Sequence, residues 1–139
     1  MKKLFILLII PFVLSCKSDS VNNNNEFIPN VSFGITINTT LPSYQSLQFA
    51  SNSLKINQPN VGVRGIIVIN TGTGYLAYDG ACPNQAISSC SELTVSGINA
   101  TCPCDSAVYN LFTGQSPGKQ FPLKAYRVEV VGTNITVSN

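Results

Sequence analysis

The most informative absence in this sequence is histidine, since none of its 139 residues is one. Without imidazole the chain cannot form Ser-His-Asp or Cys-His nucleophile pairs, and it cannot hold zinc, copper or iron through histidine. Charged residues are also scarce, at 10% of the chain, with eight basic residues against six acidic ones. Nucleic-acid binding would need clustered Lys and Arg on one face. We therefore expect no nucleic-acid partner, and we predict that the chain is not an enzyme.

Long apolar runs are lacking as well. The apolar run at residues 4–14 has eleven residues, whereas a spanning helix needs about 20. Because Lys2 and Lys3 precede it, the run is typical of a secretory signal peptide. It ends in Val13-Leu14-Ser15-Cys16, which resembles the lipobox of bacterial lipoproteins. That resemblance implies cleavage before Cys16 and a lipid on Cys16; the alternative is a plain signal peptide with a chance cysteine.

These features predict that the chain has three parts. Residues 1–15 are predicted to be the signal peptide, residues 16–26 the lipidated cysteine and a flexible polar tether, and residues 27–139 one β domain. The implied partner is the membrane of the bacterial cell envelope, reached through the lipid anchor, and no protein partner is identified. Lys17, in place of an acidic residue after the cysteine, favours the outer membrane. Export permits disulfides.

The body of the chain has the patterns of short strands. Residues 31–37 alternate apolar and polar side chains, which predicts a strand with one buried face. Residues 65–69 form a continuous β-branched run, which is consistent with a strand buried on both faces. Other predicted strands lie around residues 47–49, 54–56, 75–78, 107–112, 125–131 and 134–137. Strands at this spacing predict an all-β sandwich or small barrel.

One segment, residues 79–106, does not fit a plain sandwich. It contains all four cysteines of the predicted β domain and few large apolar residues, so we interpret it as two loops that are pinned together. Four cysteines allow three pairings. Four thiolates holding zinc or an all-cysteine cluster is an alternative, although the spacing matches no common zinc pattern.

Three of the cysteines lie in two boxes, Cys82-Pro83-Asn84 and Cys102-Pro103-Cys104-Asp105, which are separated by seventeen residues. The boxes, with the strands that flank them, resemble the two ligand boxes of Rieske iron–sulfur domains, which read C-x-H and C-x-x-H. The resemblance covers roughly residues 64–139. It implies an all-β, Rieske-like antiparallel sandwich or small barrel with two cysteine-bearing loops.

The resemblance also assigns the site residues. Cys82 and Cys102 match the ligand cysteines, whereas Asn84 and Asp105 stand where the family has its two histidines. Neither side chain reproduces imidazole as an iron ligand. We therefore expect no cofactor; the alternative is a 2Fe–2S cluster held by Cys82, Asn84, Cys102 and Asp105.

The extra cysteines of many Rieske domains form a disulfide between the two loops, and here they match Cys90 and Cys104. Cys82 and Cys102 would then face each other, and in an oxidising compartment without iron we expect them to form a second disulfide. The resulting prediction is a structural or interaction module on a lipoprotein, the alternative being an electron-transfer protein with atypical ligands. Four carboxylates are expected to be turn or solvent-facing residues: Asp79, Glu92, Asp105 and Glu129.

Overall fold

A computed structural model describes residues 24–139 of the chain. The predicted signal peptide, residues 1–15, and the predicted lipidation site Cys16 lie outside the described residues. Nine strands and one short 3-10 helix, Gln45–Gln48, are found in the described part. The strands are β1 Gly34–Asn38, β2 Ser53–Ile56, β3 Ile66–Asn70, β4 Tyr75–Asp79, β5 Thr94–Ser96, β6 Asn99–Thr101, β7 Val108–Asn110, β8 Ala125–Val131 and β9 Asn134–Ser138. No helix long and apolar enough to cross a membrane occurs between residues 24 and 139.

The strands form two antiparallel sheets. The larger sheet has six strands in the order β1-β9-β8-β4-β3-β2, and the smaller has three in the order β5-β6-β7. The predicted all-β antiparallel fold is therefore confirmed. Strand β3 is buried along its whole length, because one face packs on the small sheet and the cysteine loops while the other packs on β1, β9 and the 3-10 helix. This explains its continuous run of β-branched residues.

Two parts of the sequence-based prediction were wrong. Leu47, expected in a strand, lies in the 3-10 helix and is fully buried there. The hairpin of β5 and β6 falls within residues 79–106, the segment interpreted from the sequence as two loops. These strands have three residues each and few large apolar side chains, so the pairing of β5 with β6 and of β6 with β7 defines them better than any local pattern does.

The large sheet has two distinct ends. Antiparallel pairing brings four strand ends together at one of them: Ile56, Ile66, Asp79 and Ala125. We call this end the loop end, because the first of the two cysteine loops begins there, directly after Asp79. At the opposite end lie the β3–β4 turn, residues 71–74, and the β8–β9 turn, residues 132–133. We call this the hairpin end.

Candidate functional site

The first cysteine loop, residues 80–93, leaves the loop end after β4 and is closed at its base. The backbone N–H of Leu93 donates to the carbonyl of Gly80 at 2.8 Å, and that of Cys82 donates to Ser91 at 2.8 Å. Gly80 lies so close to the backbone carbonyl of Arg64 that a Cβ there would collide with it. A glycine is therefore required where this loop starts.

A buried carboxylate holds the base of the loop. Asp79 is fully buried and accepts hydrogen bonds from the backbone N–H of Val63 at 2.6 Å and of Ala81 at 2.7 Å. The Tyr126 hydroxyl donates to it at 2.6 Å. Burial, and then the neighbouring Asp79, raise the pKa of Tyr126. The expectation that Asp79 is a turn or solvent-facing residue was wrong, because these three donors and the backbone N–H of Arg64, at 3.3 Å, take the place of water around its carboxylate.

The second cysteine loop is a tight turn between β6 and β7. The N–H of Cys102 donates to the carbonyl of Ala107 at 2.9 Å, and the N–H of Ser106 donates back to Cys102 at 2.9 Å. Ser106 has φ of +58°, a left-handed conformation that is uncommon for a non-glycine residue and typical of a sharp turn. Cys102 is fully buried, whereas Pro103 points to solvent.

Two cysteine pairs join the loops. Cys82 is bonded to Cys102, with Cα atoms 5.6 Å apart, and Cys90 is bonded to Cys104, with Cα atoms 5.1 Å apart. These are the two pairs implied by the resemblance. The first pair is buried in the core, with Cys82 1% and Cys102 0% exposed, whereas Cys90 is exposed and Cys104 is partly buried.

Asn84 is fastened to a third loop, which we call the cover segment, residues 115–122. Its Oδ1 accepts the backbone N–H of Phe121 at 2.8 Å, and its Nδ2 donates to the carbonyl of Phe121, also at 2.8 Å. The same Nδ2 donates to the hydroxyl of Tyr109 at 2.8 Å. The side-chain amide thus reproduces the hydrogen bonding of a neighbouring β-strand and fixes the cover segment at Phe121.

Asp105 is fastened to the same segment at a different residue. Its Oδ2 lies 2.6 Å from Nζ of Lys119, and its Oδ1 accepts the backbone N–H of Ala107 at 3.0 Å. The hydrogen bond from Lys119 is the main reason why the pKa of Asp105 is lower than usual. Asn84 and Asp105 therefore both hold the cover segment.

The donor set does not fit a 2Fe–2S cluster. The two matching sulfurs, Cys82 and Cys102, are bonded to each other. The only oxygen that Asn84 could offer already accepts a backbone N–H, and Asp105 is paired with Lys119. Within residues 24–139, no three His, Cys, Asp or Glu side chains converge in a way that could hold a metal ion.

The sequence reasoning missed two residues of this site. Tyr109 is fully buried beneath Asn84, and its pKa is raised by that burial. Phe121 supplies the backbone groups that Asn84 binds. Tyr109 carries a sequence signal, as the central residue of a predicted strand; Phe121 carries none, because it contributes through its main chain.

No family model matches the chain, and no curated protein matches it. Among solved structures, it is similar to a chain of a complex of oxygenase and ferredoxin in carbazole 1,9a-dioxygenase, at 22% identity with a TM-score of 0.49, covering 78% of this chain and 93% of that one. The ferredoxin of carbazole 1,9a-dioxygenase from Nocardioides aromaticivorans IC177 matches at 16% identity and a TM-score of 0.45, covering 78% and 97%. A ferredoxin of Sphingomonas yanoikuyae B1 matches at 16% identity and a TM-score of 0.45, covering 66% of this chain and 88% of that one.

Proposed function

We propose that this protein is a bacterial cell-envelope lipoprotein, anchored in the outer membrane through Cys16, whose Rieske-like domain has lost its iron–sulfur cluster. It acts as a structural or interaction module rather than as an enzyme. The domain keeps the shape in which two cysteine loops project from a β-sheet. A disulfide replaces the metal at the centre of those loops.

One observation supports the loss of the cluster: each side chain that matches a ligand position already binds another group of the protein. Cys82 and Cys102 bind each other. Asn84 and Asp105 bind the cover segment at Phe121 and Lys119. A cluster would have to break the disulfide and both of these attachments. It would gain in return only a carboxamide and a carboxylate in place of two imidazoles.

The anchor is supported by residues 13–16 and by the polar stretch that follows Cys16. Replacing Cys16 with serine should release the protein from the membrane fraction and abolish its labelling by a radioactive fatty acid. A Cys16→Ser variant that stayed membrane-bound and labelled would overturn the anchor. The same variant leaves the β domain unchanged, so it does not bear on the cluster.

The cluster is tested by iron and acid-labile sulfide analysis of the chain purified from its own membrane. We expect neither element in stoichiometric amount, and no Rieske-type electron paramagnetic resonance signal after reduction. Asn84→His with Asp105→His, assembled under reducing conditions with iron and sulfide, is the matched positive control, and it should bind some iron. A native chain that contains iron and labile sulfide would instead support electron transfer through a cluster with atypical ligands.

A further inference from the structure

The first described residues are not free of the domain but are bound to its loop end. Asn25 donates through Nδ2 to the carbonyl of Pro83, in the first cysteine loop, at 2.8 Å. Its Oδ1 accepts the N–H groups of Phe27 at 2.8 Å and Ile28 at 3.3 Å. This turn directs the chain onto the surface beside the cover segment.

Apolar contacts continue the attachment. The ring of Phe27 meets that of Phe121 edge to face, with centroids 5.9 Å apart. Ile28 is 1% exposed. Both side chains therefore remove apolar surface from water at the loop end.

A buried lysine completes the attachment of these residues to the loop end. Lys124 is 2% exposed, and its ammonium donates to the carbonyls of Ile28 and Pro29, both at 3.3 Å, and to Oδ1 of Asn30. Further along, Nδ2 of Asn139 donates to the carbonyl of Val31 at 2.8 Å. The domain thus holds the chain from Asn25 onward before β1 begins.

The point of attachment limits how the domain can face a membrane. Eight Cα-to-Cα steps separate Cys16 from Asn24, and they span at most about 29 Å when the chain is fully extended. Strand β8 alone has seven residues between the loop end and the hairpin end, or about 23 Å. The connecting residues could therefore bring the hairpin end to the lipid only if they ran almost fully extended along the sheet.

We propose that the loop end, with both disulfides and the cover segment, faces the lipid surface, and that the hairpin end points away from it. This orientation rests on the proposed lipid anchor at Cys16. The surface that the loops meet is the layer of lipid headgroups.

The absence of tryptophan from the chain allows a direct test with single-tryptophan variants of the lipidated protein. Gln120→Trp places the reporter on the exposed cover segment, and Val131→Trp places it at the hairpin end, where Val131 is 78% exposed. Each variant is reconstituted in vesicles of phosphatidylethanolamine and phosphatidylglycerol that contain a dansyl-labelled headgroup. Energy transfer from tryptophan to dansyl should be several-fold stronger for Gln120→Trp.

Equal or stronger transfer from Val131→Trp, with both proteins retained on the vesicles, would overturn the orientation alone. Failure of both variants to remain on the vesicles would overturn the anchor as well. Adding Phe27→Ala and Ile28→Ser to each variant detaches the first described residues and lengthens the tether. The difference between the two reporters should then shrink towards zero, and a difference that stayed the same would show that the attachment does not set the orientation.

Discussion

The two disulfides of the loop end close chain segments of similar length but stand in different surroundings. Their sequence separations are 20 for Cys82–Cys102 and 14 for Cys90–Cys104. In the chain-entropy model each contributes about 3 kcal/mol, and the two differ by only about 0.3 kcal/mol. What separates them is burial, since the first pair lies in the core and the second near the surface. Loop length therefore does not decide which pair matters more; the native surroundings do.

The neighbours of the two pairs differ in the same way. Asn84, two residues after Cys82, makes three hydrogen bonds of 2.8 Å in a partly buried setting. Asp105, the residue after Cys104, makes an ion pair with Lys119 that solvent reaches. The hydroxyl of Ser88 lies 3.3 Å from Sγ of Cys90, on the exposed side. We call Cys82–Cys102 and Asn84 the inner site, and Cys90–Cys104 and Asp105 the outer site.

The largest expected difference is in the rate of reduction. A thiolate can reach Cys90–Cys104 from solvent, whereas Cys82–Cys102 requires local opening of the core. If that opening costs about 2.7 kcal/mol, the outer pair is reduced about 100-fold faster under native conditions. Timed alkylation after addition of a mild reductant, read by peptide mass spectrometry, measures both rates.

Cys90→Ser with Cys104→Ser is the matched control, because its inner pair has no neighbouring thiol with which to exchange. Reduction of both pairs at one common rate would mean that the loops open together, and the distinction between inner and outer sites would fail.

The second comparison is of stability. Cys82→Ala with Cys102→Ala should lower the free energy of unfolding by about 4–5 kcal/mol, because it loses a cross-link and leaves a cavity in the core. Cys90→Ala with Cys104→Ala should lose about 3 kcal/mol, since it loses the cross-link alone. Urea unfolding followed by circular dichroism gives both values. A larger loss for the outer pair would contradict the ranking by burial.

The sequence predicted much of this site, although not its internal contacts. The pairing of the four cysteines was implied by the resemblance of the two boxes to those of Rieske domains, and the strands on either side were predicted from periodicity. The burial of Asp79 could not be predicted, because it depends on donors from residues 63–64 and on Tyr126, which are distant in sequence. The role of Phe121 could not be predicted either, because a backbone N–H and carbonyl are present at almost every position.

Replacing Asn84 with alanine tests the contribution of the inner site. This leaves the backbone groups of Phe121 and the hydroxyl of the buried Tyr109 without a partner. We expect a loss of about 2–3 kcal/mol in the free energy of unfolding, together with faster reduction of Cys82–Cys102. Asn52→Ala is the control, since that exposed side chain makes a single bond, to the carbonyl of Ser46 at 3.0 Å. If the two variants lose equal stability, the interpretation that Asn84 fastens the cover segment is wrong.

The smallest effect is expected at the outer site, from replacing Asp105 with asparagine. Ion pairs that solvent reaches contribute little and are screened by salt, so the loss should be several-fold smaller than for Asn84→Ala and should fade at high ionic strength. The hydrogen bond from Lys119 keeps the pKa of Asp105 below its usual value in the folded chain. The stabilisation is therefore present above the unfolded carboxyl pKa of about 3.9 and is lost as the pH falls through the lower folded value. The stability difference between the native chain and Asp105→Asn should accordingly vanish in acid.

A local measurement detects the ion pair between Asp105 and Lys119 better than the global free energy of unfolding does. Trypsin should cut after Lys119 faster in Asp105→Asn, because the lysine and the cover segment are then held less firmly. Glu92→Gln is the matched control: it breaks the other ion pair, Lys55–Glu92 at 2.6 Å, without touching the cover segment. Equal rates of cleavage after Lys119 in the two variants would show that Asp105 does not fasten the segment. Of the two side chains, Asn84 alone would then fasten the cover segment.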